Sequence, residues 1–448
     1  MLRILAPQGS LFELLLPAGM QVLSGELAAV DRVLDDKGLL SPFGFVFHRF
    51  EGRPSIPVET YLRLMFLKTR FGLGYGRLTE LVADSLSWRR FCRIGLEAKV
   101  PDESTIRKLT RRCGPELIEG LNRALLCGVE SRGQLDMSAA RADTTVVEAD
   151  VRYPTDSGLL CEAVSRLETL LGRLNTAGCP VAFTARSSQA RALQHSVGVW
   201  LRRRSGEAKA EVLAITGQLA DLAAGMVADS GNAPVQGSHP RAVRWLLEDL
   251  AVLVGHVNQV IAQARVRVAG GQPDGATRLV SFHDPDARPI RKGRLGKPVE
   301  FGYKAQTIDN TDGLVIDYSV HIGNPSDTVL LRPAIENIQR VLHVHPDLVT
   351  ADRGYWDSTI EADLAAAGVR RVVIPRTGKP SAARAALQQT DEFIATVKWR
   401  TGCEGRISCL KRDYGWRRAR LRGHDGARIC CGHGVFAHNI IKLTRLKP

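Results

Sequence analysis

The strongest constraint on the fold is a long helical stretch lodged between β-patterned segments. Thr155-Asp156-Ser157 offers a helix cap, and apolar residues then recur at helical spacing almost without pause to about Ala269. The stretch takes in 159–174, 212–226 and 246–268, with a basic turn at Arg202-Arg203-Arg204. Gly270-Gly271-Gln272-Pro273-Asp274-Gly275 ends it. Before it, residues 135–150 read as a strand carrying the β-branched run Asp143-Thr144-Thr145-Val146-Val147. After it, 300–308 and 314–322 read as two strands joined by the turn Asp309-Asn310-Thr311-Asp312-Gly313. A sheet so divided must carry the helices as an insertion, here 157–274.

Downstream, the pattern predicts helix 328–342, strand 347–351, helix 357–367, strand 369–374 and a basic helix around Glu404. With the insertion removed, this is the ribonuclease-H-like order of elements, an α/β arrangement of a mixed sheet flanked by helices. In that order the first strand lies beside the strand after the first helix. Asp143 and Asp352 are therefore expected to be neighbours although far apart in sequence.

Upstream, an all-helical N-terminal domain is expected. Tyr61, Leu64, Met65 and Lys68 share helical spacing, a glycine-rich break follows at 72–76, and Leu78, Leu81 and Val82 continue on a second helix. Pro101-Asp102-Glu103-Ser104-Thr105 supplies a cap for a basic third helix through Arg112. The pattern suits a helix-turn-helix DNA-binding bundle and equally an ordinary bundle with solvated arginines. The expected domains are a helical N-terminal domain over 1–125, a catalytic core from 135–156 and 275–448, and the insertion 157–274.

Charge narrows the partners. Of 448 residues, 61 are basic and 47 acidic, a net +14 that favours a polyanion such as nucleic acid. From Lys398 onward 13 Lys and Arg face Glu404, Asp413 and Asp425, yet Trp399, Ile407, Leu410 and Trp416 mark a folded surface rather than a tail. No apolar run reaches the roughly 18–20 residues of a membrane span, so no membrane partner is expected. The opening Met-Leu-Arg-Ile-Leu-Ala-Pro lacks the apolar core and cleavage site of a signal peptide. Nine irregularly spaced cysteines argue for a reducing cytoplasm over a disulfide framework. Cys403, Cys409, Cys430, Cys431, His424 and His433 contain no Cys-x-x-Cys pair and read as core residues rather than a zinc site.

Three acids stand in settings suited to chemistry. Asp143 lies in the first strand, Asp352 ends the run Leu348-Val349-Thr350-Ala351, and Glu404 sits among cations. Carboxylates suit Mg²⁺, which needs only one or two per ion because it keeps its waters. Two ions bridged by Asp143, with Asp352 and Glu404 each completing one, can serve an in-line attack on a phosphodiester. Arg400, Glu404 and Lys411 fall on one helical face, where a metal ligand would be flanked by phosphate-binding cations. An ordinary salt-bridged helix has the same i, i+4 spacing, but Gly402 and Gly405 are poor helix formers and suggest close approach by another backbone. Among competing acids, Asp136 and Asp150 flank the first strand, Asp156 reads as a helix cap, and Asp347, Asp357 and Asp363 lie outside the second strand's end. No phosphate-binding Gly-x4-Gly-Lys-Ser/Thr loop occurs.

At Arg400-x3-Glu404-x6-Lys411 the chain resembles the YREK signature of DDE transposases from bacterial insertion sequences. Ala142-Asp143-Thr144-Thr145-Val146, Tyr153-Pro154-Thr155-Asp156, Thr350-Ala351-Asp352-Arg353-Gly354-Tyr355 and Ala437-His438-Asn439-Ile440 are similar to the ISNCY-like group. The likeness spans most of 40–448, with one departure: Val397 stands where the signature has tyrosine. The resemblance implies Asp143, Asp352 and Glu404 as catalytic metal ligands for Mg²⁺, two ions, with Mn²⁺ as a substitute. It places Arg400, Lys411, Arg412, Arg417 and Arg418 on DNA. It further implies cutting at terminal inverted repeats, joining of 3′-hydroxyl ends to target DNA, and a homodimer in the DNA complex. The competing expectations are a non-catalytic DNA-binding protein derived from a transposase and a nonspecific nuclease.

Overall fold

The computed structural model describes residues 3–4, 16–23, 25–45, 55–203, 205–292, 298–376 and 378–446. Arg204 of the basic turn lies outside the described residues. Two compact units form: Met1–Glu148 with Tyr303–His321 and Pro325–Pro448, and Ala149–Gly302 with Ile322–Asn324.

The helices of the first unit's N-terminal part are α1 (Gly25–Leu34), α2 (Val58–Arg70), α3 (Tyr75–Asp84), α4 (Leu86–Phe91) and α5 (Glu103–Glu130). They share a compact unit with the sheet. The reason is α5. Asp102 caps it, accepting the Thr105 N–H at 2.9 Å, and the helix kinks at Gly114-Pro115. Its far end buries Leu126 and Val129 in the cluster that covers the sheet. The basic residues Arg107, Lys108, Arg111 and Arg112 stay exposed along α5. Helix α2 is buried nearly all round, down to Arg63, whose guanidinium pairs with Asp31 at 3.1 Å and Asp35 at 2.6 Å on or beside α1.

The strands are β1 (Ala139–Ala149), β2 (Arg288–Arg291), β3 (Val299–Asn310), β4 (Val315–Ile322), β5 (Leu348–Ala351), β6 (Arg371–Val373) and β7 (Arg418–Ala419). β3 pairs antiparallel with β4, β1 parallel with β5, and β5 parallel with β6. The sheet order runs β3-β1-β5-β6 with β4 on β3 and β7 on β1, a mixed sheet consistent with the ribonuclease-H-like arrangement. β2, which pairs with the first residues of β3, and the two-residue β7 were not foreseen. Strands this short have no period to read.

On one side of the sheet, Ala140 and Ala142 of β1 join Ile308, Val349 and Ala351 in the core. α10 (Leu331–Leu342) covers them with Leu331, Ala334, Ile335, Ile338 and Leu342, an apolar stripe at helical spacing, and α11 (Ile360–Ala366) adds Ile360 and Leu364. The remaining helices of this unit are α12 (Ala382–Gln388), α13 (Asp391–Arg400), α14 (Gly402–Asp413) and α15 (Gly423–Leu443). α15 packs on α5 and α2 and is almost wholly buried. Its glycines hid it from the helical pattern, yet they are why it fits: a Cβ at Gly432 would sit 2.6 Å from the Ile118 side chain.

The second unit contains α6 (Asp156–Thr176), α7 (Ser187–Trp200), α8 (Gly206–Ser230) and α9 (Arg241–Val268) around one apolar cluster. Against expectation, α8 and α9 are long and apolar enough by length and composition to cross a membrane. In this structure each buries one face in the bundle. Thr155, not Asp156, caps α6, accepting the Gly158 N–H at 3.1 Å; Asp156 is paired with Arg278 at 3.1 Å and with Arg267.

Candidate active site

The parallel register of β1 and β5 ends at Ala142 opposite Ala351, so the next residue on each strand is Asp143 and Asp352. Each carboxylate takes a local backbone donor. Asp143 Oδ1 accepts the Thr144 N–H and Asp352 Oδ1 the Gly354 N–H, both at 2.8 Å. Asp143 is pushed up to about 6, first by burial, then by the neighbouring carboxylate of Asp352 and more weakly by that of Asp327. The Thr144 N–H and Arg400 act the other way. Arg400 is a distant counterion, its Nη1 3.9 Å from Asp143 Oδ2.

Arg400 ends α13, whereas Glu404 and Lys411 belong to α14, the two helices meeting at Thr401. One helical face therefore does not relate all three. The junction is held from β1. Arg141, on the same side of the strand as Asp143, donates to the Trp399 carbonyl at 2.7 Å, and its guanidinium lies 4.7 Å from the Trp399 ring centre. The guanidinium enters where Gly402 has no side chain: a Cβ there would lie 2.3 Å from Arg141 Nη1. The close approach expected at Gly402 is thus by a side chain, not a backbone, and Gly405 has no neighbour within 4 Å. Asp309, fully buried, receives Arg141 Nη2 at 2.9 Å and Arg406 Nε at 3.2 Å, and Arg406 also meets His438 Nε2 at 2.8 Å.

Glu404 is exposed in the first turn of α14, and among the described residues its carboxylate makes no hydrogen bond or ion pair. Nor do any three His, Cys, Asp or Glu side chains among the described residues gather to hold a metal ion. What the strands bring together is the pair Asp143 and Asp352.

Two residues at this site were not singled out from sequence. Lys304 on β3 lies 2.7 Å from Asp327 Oδ1, which also accepts the Thr144 hydroxyl at 3.0 Å. A Cβ on Gly354 would meet Asp352 Oδ1 at 3.0 Å and Asp327 Oδ2 at 3.2 Å, so both acids face this one glycine. Asp327 looks like a turn residue after Asn324-Pro325-Ser326. The available signal was Lys304, a lysine inside an otherwise buried strand.

The competing acids have structural work. Asp136 accepts the Ser138 N–H at 2.8 Å, Asp347 the Arg370 guanidinium at 3.0 Å, Asp357 the Ile360 N–H at 2.7 Å and Asp363 the Arg332 guanidinium at 3.2 Å. All nine cysteines are free thiols. Lys411, Arg412, Arg417 and Arg418 line a single cavity, where Arg412 pairs with Asp413 at 2.9 Å and Arg418 with Glu148 at 3.3 Å.

Residues 20–112 match the family described as Transposase domain (DUF772), and residues 274–440 match the family described as Transposase DDE domain. Neither a curated protein nor a solved structure matches the chain. The two matches support a DDE transposase of an insertion sequence, an enzyme class that acts on DNA. Asp352, Arg400, Glu404 and Lys411 fall inside the DDE match. Asp143 lies between the two matches and is brought to Asp352 by the β1–β5 pairing.

Proposed function

We propose that the chain is a DNA transposase of a YREK-signature, ISNCY-like insertion sequence. It cuts at the terminal inverted repeats and joins the 3′-hydroxyl ends to target DNA by divalent-metal-dependent phosphoryl transfer. The observation that carries this reading is the placement of Asp143 and Asp352 side by side, each just past the last paired residue of β1 and β5, with Arg400 beside Asp143.

The donor set fits a hard cation. Two carboxylates stand together with a third, Asp327, nearby, and Asp143 is raised first by burial and then by the neighbouring acids. Asp143 and Asp352, with Glu404 as the third ligand, would hold Mg²⁺ or Mn²⁺. Bound there, the metal would supply activation of the attacking oxygen and neutralisation of the leaving one. Arg400 is placed to grip a phosphate at the acids. Lys411, Arg412, Arg417 and Arg418 extend the contact along the DNA, and the exposed basic side of α5 offers the N-terminal segment a surface for the repeats. In this reading residues 1–125 bind the element ends, the 157–274 helices serve assembly, and a homodimer holds two ends in the cytoplasm.

A second reading, a non-catalytic DNA-binding protein derived from a transposase, is favoured by Val397 at the signature tyrosine's place and by the solvent-exposed, unpartnered Glu404. One assay separates the two. Asp143→Asn, Asp352→Asn and Glu404→Gln should each lower nicking of an end-bearing duplex in Mg²⁺ on the order of a thousandfold, about 4 kcal/mol, with gel-shift binding retained. Robust nicking by one variant removes that residue from the site, and a wild-type protein that binds without nicking establishes the second reading.

A further inference from the structure

A cavity of about 670 Å³ opens in the first unit between the end of α2 with its following turn and the α14–β7 segment. Seven lysines and arginines line it against one acid, Asp413, which Arg412 already occupies at 2.9 Å. Among the described residues, the side chains of Lys68, Arg417 and Arg420 have no carboxylate partner and no hydrogen bond. Lys68 is the telling one. It is half-buried with its Nζ 4.7 Å from the Tyr75 ring centre, and burial, with Arg420 adding to it, holds its pKa below the ordinary lysine value. Two facing cations, one of them withdrawn from water, lower the free energy of a bound anion.

The position says which anion. Lys411 lines the cavity and sits seven residues from Glu404 on α14, about 10 Å at a rise of roughly 1.5 Å per residue. Measured along a duplex axis, where the phosphates of one strand advance roughly 3.4 Å each, that is about three phosphate steps.

Building on the transposase reading, we propose that this cavity is a second DNA contact, in which Lys68 and Arg420 grip the phosphodiester backbone of the strand leaving the acid site. Lys68 comes from the segment matching the N-terminal family and Arg420 from the DDE segment, so one strand would be read by both.

The test is fluorescence anisotropy of a labelled 20-base-pair duplex of arbitrary sequence with the full chain across a KCl series. The double variant Lys68→Met, Arg420→Gln should bind about tenfold or more weakly at low salt. Its log–log salt slope should fall by about 1.8, since each phosphate contact contributes about 0.9. Arg420→Gln alone, at an exposed position where folding is not in question, should lose about 0.9, and Lys68→Arg should keep the wild-type slope. Arg332→Gln, at an exposed ion pair with Glu336, is the control and should change nothing. Unchanged slopes in the Arg420 and double variants, with wild-type binding intact, overturn the cavity as a DNA contact and leave the transposase reading standing. A wild-type chain that binds no duplex at any salt overturns both.

Discussion

Arg141 and Asp143 stand two residues apart on β1, facing the same side of the sheet, and their surroundings differ in kind. Arg141 is satisfied on every side. Asp309 takes its guanidinium at 2.9 Å, the Trp399 carbonyl at 2.7 Å, and the Trp399 ring lies beneath it. Asp143 has its nearest cation at 3.9 Å and two further acids acting on it. A buried ion pair with its hydrogen bonds filled locks geometry, here the α13–α14 junction. A carboxylate left short of positive charge stores an electrostatic demand that a ligand can meet. Scaffold and chemistry are thus divided between adjacent positions of one strand face.

The comparison breaks most visibly at Arg141. Arg141→Ala should destabilise the chain by about 3–5 kcal/mol in guanidinium denaturation, because Asp309 is left buried with half its counterions gone. A loss under about 1 kcal/mol would mean that the network does not hold the junction.

Asp143→Asn should act with the opposite sign. Its carboxyl is raised from 3.8 to about 6 in the folded chain, so the folded state binds the proton more tightly than the unfolded one. The corresponding stability is present below about pH 4 and is lost as pH rises through 6, a penalty of roughly 1–3 kcal/mol at neutral pH. The asparagine variant should therefore be more stable than wild type at pH 8, with the gap closing toward pH 4 in thermal melts. Excess MgCl₂ should raise the wild-type midpoint more than that of the variant. A gap independent of pH would show that Asp143 carries no such strain.

The smallest effect is expected at Asp327. Asp327→Asn removes the weaker of the two acids that raise Asp143 and should narrow the pH-dependent gap by well under about 1 kcal/mol. If the wild-type pH dependence persists in Asp327→Asn, the coupling between the two carboxylates is not significant. In that event Lys304 and Asp327 serve only to pin Thr144.

Periodicity located β1, the β3–β4 hairpin and α10, because each has enough residues for a repeat to show, and the short β5 and β6 were legible only as continuous apolar runs. It also placed Asp352 at a strand end and, through element order, beside Asp143. It could not see the break at Thr401. Arg141 makes that break, and Arg141 reads as one more basic residue until Gly402 and Asp309 are near it. Nor did local pattern recover α15, since Gly426, Gly432 and Gly434, which suit it to a crowded core, also weaken its helical signature.

The sequence by itself determined the order of the main sheet elements, the long helical stretch between them, the excess of positive charge and the acids that lie within β1 and just after β5. These follow from repeats and composition, which are local quantities. Tertiary structure alone decided that Asp327 and Lys304 join the acids, that Arg141 is scaffold while Asp143 is not, and that Lys68 and Arg420 share one cavity. Those outcomes depend on burial and on which charges face each other across hundreds of residues. Electrostatic free energy depends on distance and solvent exposure, and neither is encoded in spacing along the chain.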